Sequence, residues 1–188
     1  MKPTEVLTTE HNAIKQMLRI LEEVCKQIEA GARVETEHLE RIVEFIRVFA
    51  DRCHHGKEED LLFVAMEEAG IPRHGGPIGV MLSEHDLGRS YVRKMSEAIA
   101  LYAAGDASAA SQFVTNARNY VALLSQHIDK EDHILYPMGD MHVSREKQAR
   151  LIEEFDRVEL ERIGPGKHEE FHHLLDHLAA VYLKQRVL

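Results

Sequence analysis

A chain of 188 residues, 44% apolar and 29% charged, has material for one buried core, and that composition excludes a fibrous or disordered class. A formal net charge of −9, with Lys and Arg scattered among acids, argues against nucleic acid as a partner. No apolar run approaches the roughly 20 residues of a membrane span. The start Met1-Lys2-Pro3-Thr4-Glu5 lacks the apolar stretch of a signal peptide, so a cytoplasmic setting without a membrane partner is expected.

Glycine and proline divide the rest into long segments without period-2 alternation, which predicts helices. The first ends at Gly31, with Leu7, His11, Ile14, Leu18, Leu21, Cys25 and Ile28 recurring in steps of four and three. The second, ending at Gly70–Pro77, carries a broader stripe through Leu39, Ile42, Val43, Ile46, Phe49, Ala50 and Cys53, then Leu61, Leu62 and Ala65. The third, bounded by Gly105-Asp106, repeats the seam with Met81, His85, Gly88, Val92, Met95, Ile99 and Tyr102. The fourth does so with Ala110, Phe113, Ala117, Tyr120, Leu124, His127, Glu131 and Ile134, and Pro137-Met138-Gly139-Asp140 is expected to close it. Such seams face the interior of a bundle with near-antiparallel neighbours. Ser144 is a plausible N-cap for an amphipathic helix to Ile163, and a last helix follows Gly164-Pro165-Gly166. The fold expected is all-α: an antiparallel up-down-up-down four-helix bundle over residues 1–143, with additional C-terminal helices over 144–188 packed on it in the same domain.

Of the 13 histidines, four fall into a duplicated pattern. Glu10-His11 is echoed by Glu84-His85. His54-His55-Gly56-Lys57-Glu58-Glu59, with Phe63 after it, is echoed by His127-Ile128-Asp129-Lys130-Glu131-Asp132, with Tyr136 after it. His11, His85, His127 and Glu131 occupy seam positions, where unsatisfied polarity is costly and a cation is the natural partner of a buried carboxylate. In an up-down-up-down bundle the starts of the first and third helices lie level with the ends of the second and fourth. His11, His54, Glu58, His85, His127 and Glu131 therefore converge on one layer near one end.

His55 and Glu59 form a second His-x-x-x-Glu pair. The repeat aligns His54 with His127 and Glu58 with Glu131, and His54 continues the column of Ile46 and Ala50. His55 and Glu59 are accordingly read as a solvated or supporting pair. Residues four apart share a helix face, so each motif presents both its groups to one centre. Imidazole and carboxylate donors suit iron, zinc or manganese, and six are too many for one structural zinc. Two ions, each with two histidines and sharing both glutamates, use the set fully and leave positions for a small molecule. Cys25 and Cys53 are too few for a thiolate site and lie on apolar stripes, so they are read as small buried residues.

The order His, His-x-x-x-Glu, His, His-x-x-x-Glu on four helices, with the Leu-Phe and Leu-Tyr-Pro endings, resembles the hemerythrin-like (HHE cation-binding) family over roughly residues 4–141. The resemblance implies a non-haem di-iron centre with His11, His54, Glu58, His85, His127 and Glu131 as ligands and the two glutamates bridging, in preference to zinc or manganese. Oxygen-carrying members have a further histidine four residues beyond the one on the third helix, where this chain has Arg89. They also have an aspartate on the fourth helix, where this chain has Glu131. The ligand set is closer to the iron–sulfur-repair and nitric-oxide-linked members, whose cysteine-bearing N-terminal segment this sequence lacks. The expected function is binding of, or reaction with, oxygen, nitric oxide or peroxide, with turnover left open. The alternative is an iron-dependent sensor, iron-handling or interaction protein. His168, His172, His173 and His177 on the last helix are read as a polar surface or as a further donor set, with His168 or His172 able to fold over the bundle end. The loop Gly70–Pro77, with Arg73 and His74, is read as a plain connection or a gate at that end.

Overall fold

The computed structural model describes residues 1–106 and 108–183, which join into six helices. Helix α1 spans Pro3–Glu29. Helix α2 covers residues 36–68 and is composite: α-helical over Thr36–Phe45, π-helical over Ile46–His55 and Glu58–Leu62, and α-helical again over Phe63–Glu68. Helix α3 spans Pro77–Ala103. Helix α4 covers residues 109–142, with a π turn at Glu131–Leu135 between Ala109–Lys130 and Tyr136–His142. Helices α5 (Arg145–Arg162) and α6 (Lys167–Tyr182) complete the described chain. Among the described residues there is no strand, so the all-α bundle expected from the seams is the fold. No described helix is long and apolar enough to cross a membrane.

The helix ends are written locally. The Lys2 backbone N–H donates to the Glu5 carboxylate at 2.8 Å, and Pro3 occupies the first turn of α1, where its missing N–H costs nothing. Gly31 (φ +80) and Gly70 (φ +94) take the left-handed conformation that ends α1 and α2. The next residue's N–H then reaches back into the last turn, Ala32 to the Gln27 carbonyl and Ile71 to the Met66 carbonyl, both at 3.0 Å. Ser144 caps α5 by accepting from the Lys147 N–H at 3.2 Å.

The core has two parts. The larger gathers Leu21, Phe45, Phe49, Met95, Phe113 and Leu124, and α6 lays Phe171, Leu175 and Leu178 onto it. The smaller gathers Leu7, Phe63, Met66, Met81, Leu135 and Phe155. On each of the four long helices the polar residues of the duplicated motifs lie between the two apolar blocks. The polar layer therefore crosses the bundle as a slab walled by hydrocarbon on both sides.

Two expectations about α4 fail for one reason. Ile134, placed on the seam, is 55% exposed, and Leu135 is buried instead. Pro137-Met138-Gly139-Asp140 does not close the helix, which runs on to His142. The π turn at Glu131–Leu135 inserts one residue into the helical register, so each later side chain falls one position further along. The turn is marked by the Tyr136 N–H bonding to the Glu131 carbonyl five residues back, and Pro137 follows directly after it.

Phe171 meets Phe45 edge to face at 5.4 Å and is fully buried. Phe171→Ala is expected to lower the unfolding free energy by about 3–5 kcal/mol, read by chemical denaturation. A loss below about 1 kcal/mol would mean that α6 contributes little to the fold.

Candidate metal centre

All six residues singled out by the repeat meet in the slab. His11 and Glu58 and Glu131 are buried, as are His54, His85 and His127. Donor atoms of His11, His54, Glu58 and Glu131 lie within 4.8 Å of one another. A second cluster of the same tightness contains His85, His127, Glu58 and a residue not placed there from sequence, His55.

Each of the four repeat histidines has its Nδ1 against a carboxylate. His11 faces Asp132 at 2.7 Å, His54 faces Glu10 at 2.9 Å, His85 faces Glu59 at 2.7 Å and His127 faces Glu84 at 2.8 Å. These contacts fix the rings and assign the proton to Nδ1, which leaves each Nε2 lone pair turned into the layer. Bases hold the outer carboxylates in turn. Lys15 reaches Asp132 at 2.7 Å, Lys57 reaches Glu10 at 2.5 Å, Arg89 reaches Glu59 at 2.6 Å, and Lys130 pairs with Glu84. The duplication thus extends through three layers: Glu10 matches Glu84, Asp132 matches Glu59, Lys57 matches Lys130 and Lys15 matches Arg89.

The inner carboxylates have no such base. The Glu131 oxygens stand 3.1 Å from His127 Nε2 and 3.3 Å from His11 Nε2. Those contacts lie off the hydrogen-bond line, so neither Glu131 oxygen, nor Oε2 of Glu58, has a hydrogen-bond donor. Glu58 Oε1 alone is served, by the Tyr136 hydroxyl at 2.6 Å. His85 Nε2 and His127 Nε2 face each other at 3.0 Å, two lone pairs that repel unless a proton or cation sits at them.

The electrostatics follow from this burial. Desolvation dominates at His54 and His55, whose imidazoles drop to about 4, and at His85, which drops to about 3. It also opposes charge at His127, but the Glu131 and Glu84 carboxylates together outweigh it and raise that ring to about 9. Burial and the nearby Glu131 charge push Glu58 well above the carboxylate range. Glu131 is held well below it against its own burial by His127 and His11. Four outer acid–base pairs cancel and two inner carboxylates remain, which is the charge and donor chemistry of a cation site. The residues present fit a metal centre.

The expected His55–Glu59 pair does not form. His55 is not solvated: it is 4% exposed, stacks on His85 with ring centroids 3.8 Å apart, and turns its Nδ1 to Asp51 at 3.3 Å. Glu59 serves His85 instead. A regular α-helix would splay adjacent His54 and His55 onto different faces, whereas here both lie at the end of the π segment Ile46–His55. The outer carboxylates were within reach of sequence reasoning, because Glu10/Glu84 and Glu59/Asp132 are themselves duplicated. No metal-capable cluster of described residues includes His168, His172, His173 or His177. His168 pairs with Glu159 at 3.1 Å, and Glu159 with Lys57 at 3.2 Å. Arg73 and His74 border a shallow depression that reaches Glu84 and no repeat histidine.

The sequence profile of the Hemerythrin HHE cation binding domain matches residues 2–139. The chain belongs to that family. It is also 25% identical over 160 residues to the uncharacterized proteins Rv1995 of Mycobacterium tuberculosis (strain ATCC 25618 / H37Rv) and Mb2018 of Mycobacterium bovis. The match covers 85% of this chain and 62% of each relative, so the chain spans less than two thirds of their length. No solved structure matches it.

Both cysteines are free and buried, and desolvation raises each thiol to about 12. A free thiol is half ionised near pH 8.5, whereas these thiols are raised to about 12 and stay largely protonated at pH 9. Native protein is expected to resist thiol labelling at pH 7 and at pH 9 alike, and to label at two sites once denatured. A native rate that climbs between those pH values as a free thiol's does would contradict it.

Proposed function

We propose that this domain holds two iron ions, with His11, His54, Glu58, His85, His127 and Glu131 as ligands and both glutamates bridging, and that it binds or reacts with oxygen, nitric oxide or peroxide. The observation that carries the reading is the set of four Nδ1-anchored imidazoles turned toward two buried carboxylates without a base of their own. Nitrogen and oxygen donors without a thiolate suit iron, and their number exceeds what a structural zinc takes. The ions, when bound, supply electrons and Lewis acidity at neutral pH.

The chain's own residues do the rest. Asp132, Glu10, Glu59 and Glu84 orient the rings, and the two apolar blocks keep bulk water from the layer. Tyr136 holds Glu58 through its hydroxyl and stacks on His11 at 5.4 Å. A cavity of about 430 Å³ lined by Asp51, His55, His85, Gly88, Arg89 and Tyr120 gives a small molecule an approach from the side of the bundle. On the same footing, residues 1–143 and 144–183 form one domain, supported by the packing of Phe171 and Phe155 into the two core blocks; residues 184–188 of the expected extension lie outside the described ones. A reducing cytoplasmic setting suits two free buried thiols.

A sensor or iron-handling role is the second reading, favoured by one observation. From His54 a chain of contacts runs through Glu10, Lys57 and Glu159 to His168, tying a proposed ligand to α5 and α6. Under that reading metal loading shifts the C-terminal helices without turnover.

Purified from iron-replete cells, the chain is expected to carry two metal ions and to show ligand-to-metal absorption bands that change with oxygen, peroxide or nitric oxide. His54→Ala and Glu131→Ala are expected to lose metal and bands together. Fewer than two ions on intact chain, with no bands, would overturn the di-iron reading. Iron-dependent protease protection of α5 and α6, with no consumption of any of the three small molecules, would favour the sensor.

A further inference from the structure

Two of the differences between the halves of the layer lie beside the inner donors. His55 is matched in the second motif by Ile128, which is buried in the larger apolar block, and Phe63 is matched by Tyr136. The half containing His11 and His54 therefore has a phenol beside it. The half containing His85 and His127 has Phe63 stacked near His85 at 6.1 Å and a third imidazole, His55.

We propose that His55 is a seventh ligand, giving the His85–His127 ion three imidazoles while the His11–His54 ion has two. The proposal rests on the two-ion reading above and on four observations. A donor atom of His55 lies within 4.8 Å of donors from Glu58, His85 and His127. The ring is buried and borders the cavity that also reaches His85. Its Nδ1 faces a carboxylate, Asp51, repeating the anchoring of the other four rings and leaving Nε2 as the free nitrogen. Arg89 then bridges two such anchors, reaching Asp51 at 2.8 Å and Glu59 at 2.6 Å. Arg89 cannot ligate a metal; it holds the carboxylates behind His55 and His85, and the added imidazole arrives from α2 through the π segment.

The unequal donor count makes the two ions unequal in retention. In wild-type protein loaded with iron(II), a competing chelator is expected to remove the two ions in separate phases, the slower from the three-imidazole half. His55→Ile installs the residue that the duplicate motif carries, and His55→Gln keeps polarity. Both are expected to speed the slow phase at least tenfold and leave the fast phase near its wild-type rate. Cobalt(II)-loaded wild type is expected to show five exchangeable, paramagnetically shifted imidazole N–H resonances in its proton spectrum, and each variant four. Four resonances in wild type, or two variants that release both ions at wild-type rates, would remove His55 from the ligand set and leave the six-residue site standing. Fewer than two ions in wild type would overturn both readings. If neither variant folds, the wild-type resonance count decides.

Discussion

Two carboxylates buried without a base of their own set the terms for this structure. Glu58 and Glu131 sit fully buried at the centre of an apolar bundle, and three of their four oxygens have no hydrogen-bond donor. Leaving such charge unpaired costs several kcal/mol per group. The surroundings do not neutralise it directly. Every base near the layer is already committed to an outer carboxylate, and the inner imidazoles are anchored so that lone pairs, not protons, face inward. What remains is a net negative, lone-pair-rich pocket that only cations or protons can satisfy. Glu58 is raised by burial beside Glu131, and His127 and His11 are raised by their carboxylates against their own burial, so the same pocket favours protons as well as cations.

The duplication makes this arrangement economical. One helical unit, a Glu-His pair on one helix and His-x-x-Lys-Glu-acid on the next, supplies an inner imidazole pair, an inner carboxylate, two anchoring carboxylates and one base. Copied once, it closes on itself, because one anchor of each half holds a ring of the other: Glu59 of the first unit serves His85 and Asp132 of the second serves His11, while Glu10 and Glu84 hold His54 and His127 within their own units. The π turns are part of the copy. Both begin at an inner glutamate, with the Phe63 and Tyr136 N–H groups bonding back to the Glu58 and Glu131 carbonyls. Such turns recur at functional sites because they re-aim a side chain without ending the helix.

Much of this was legible in the sequence. The seams place the bundle, and the alignment of Phe63 with Tyr136 separates His54 and Glu58 from their neighbours. What escaped did so for a specific reason. A helical wheel assumes a constant angle per residue, and the π segments break it, so the wheel makes His55 a solvated or supporting residue and turns Ile134 toward the core. Spacing within one helix shows only local pairs and so matches Glu59 with His55, whereas its ring, His85, comes from α3. Cross-helix anchoring depends on how α1, α3 and α4 dock, which single-segment periodicity does not encode. The link from His168 to Lys57 through Glu159 depends likewise on where α5 lies.

Anomalous diffraction at the iron edge, from crystals of iron-loaded protein, tests the central claim most directly. Two peaks are expected within the slab between Glu58 and Glu131, each bonded to imidazole Nε2 atoms whose Nδ1 atoms rest on carboxylates. No peak there, a single peak, or occupancy only at the separate Glu10–Cys53–Glu159 cluster would contradict the account.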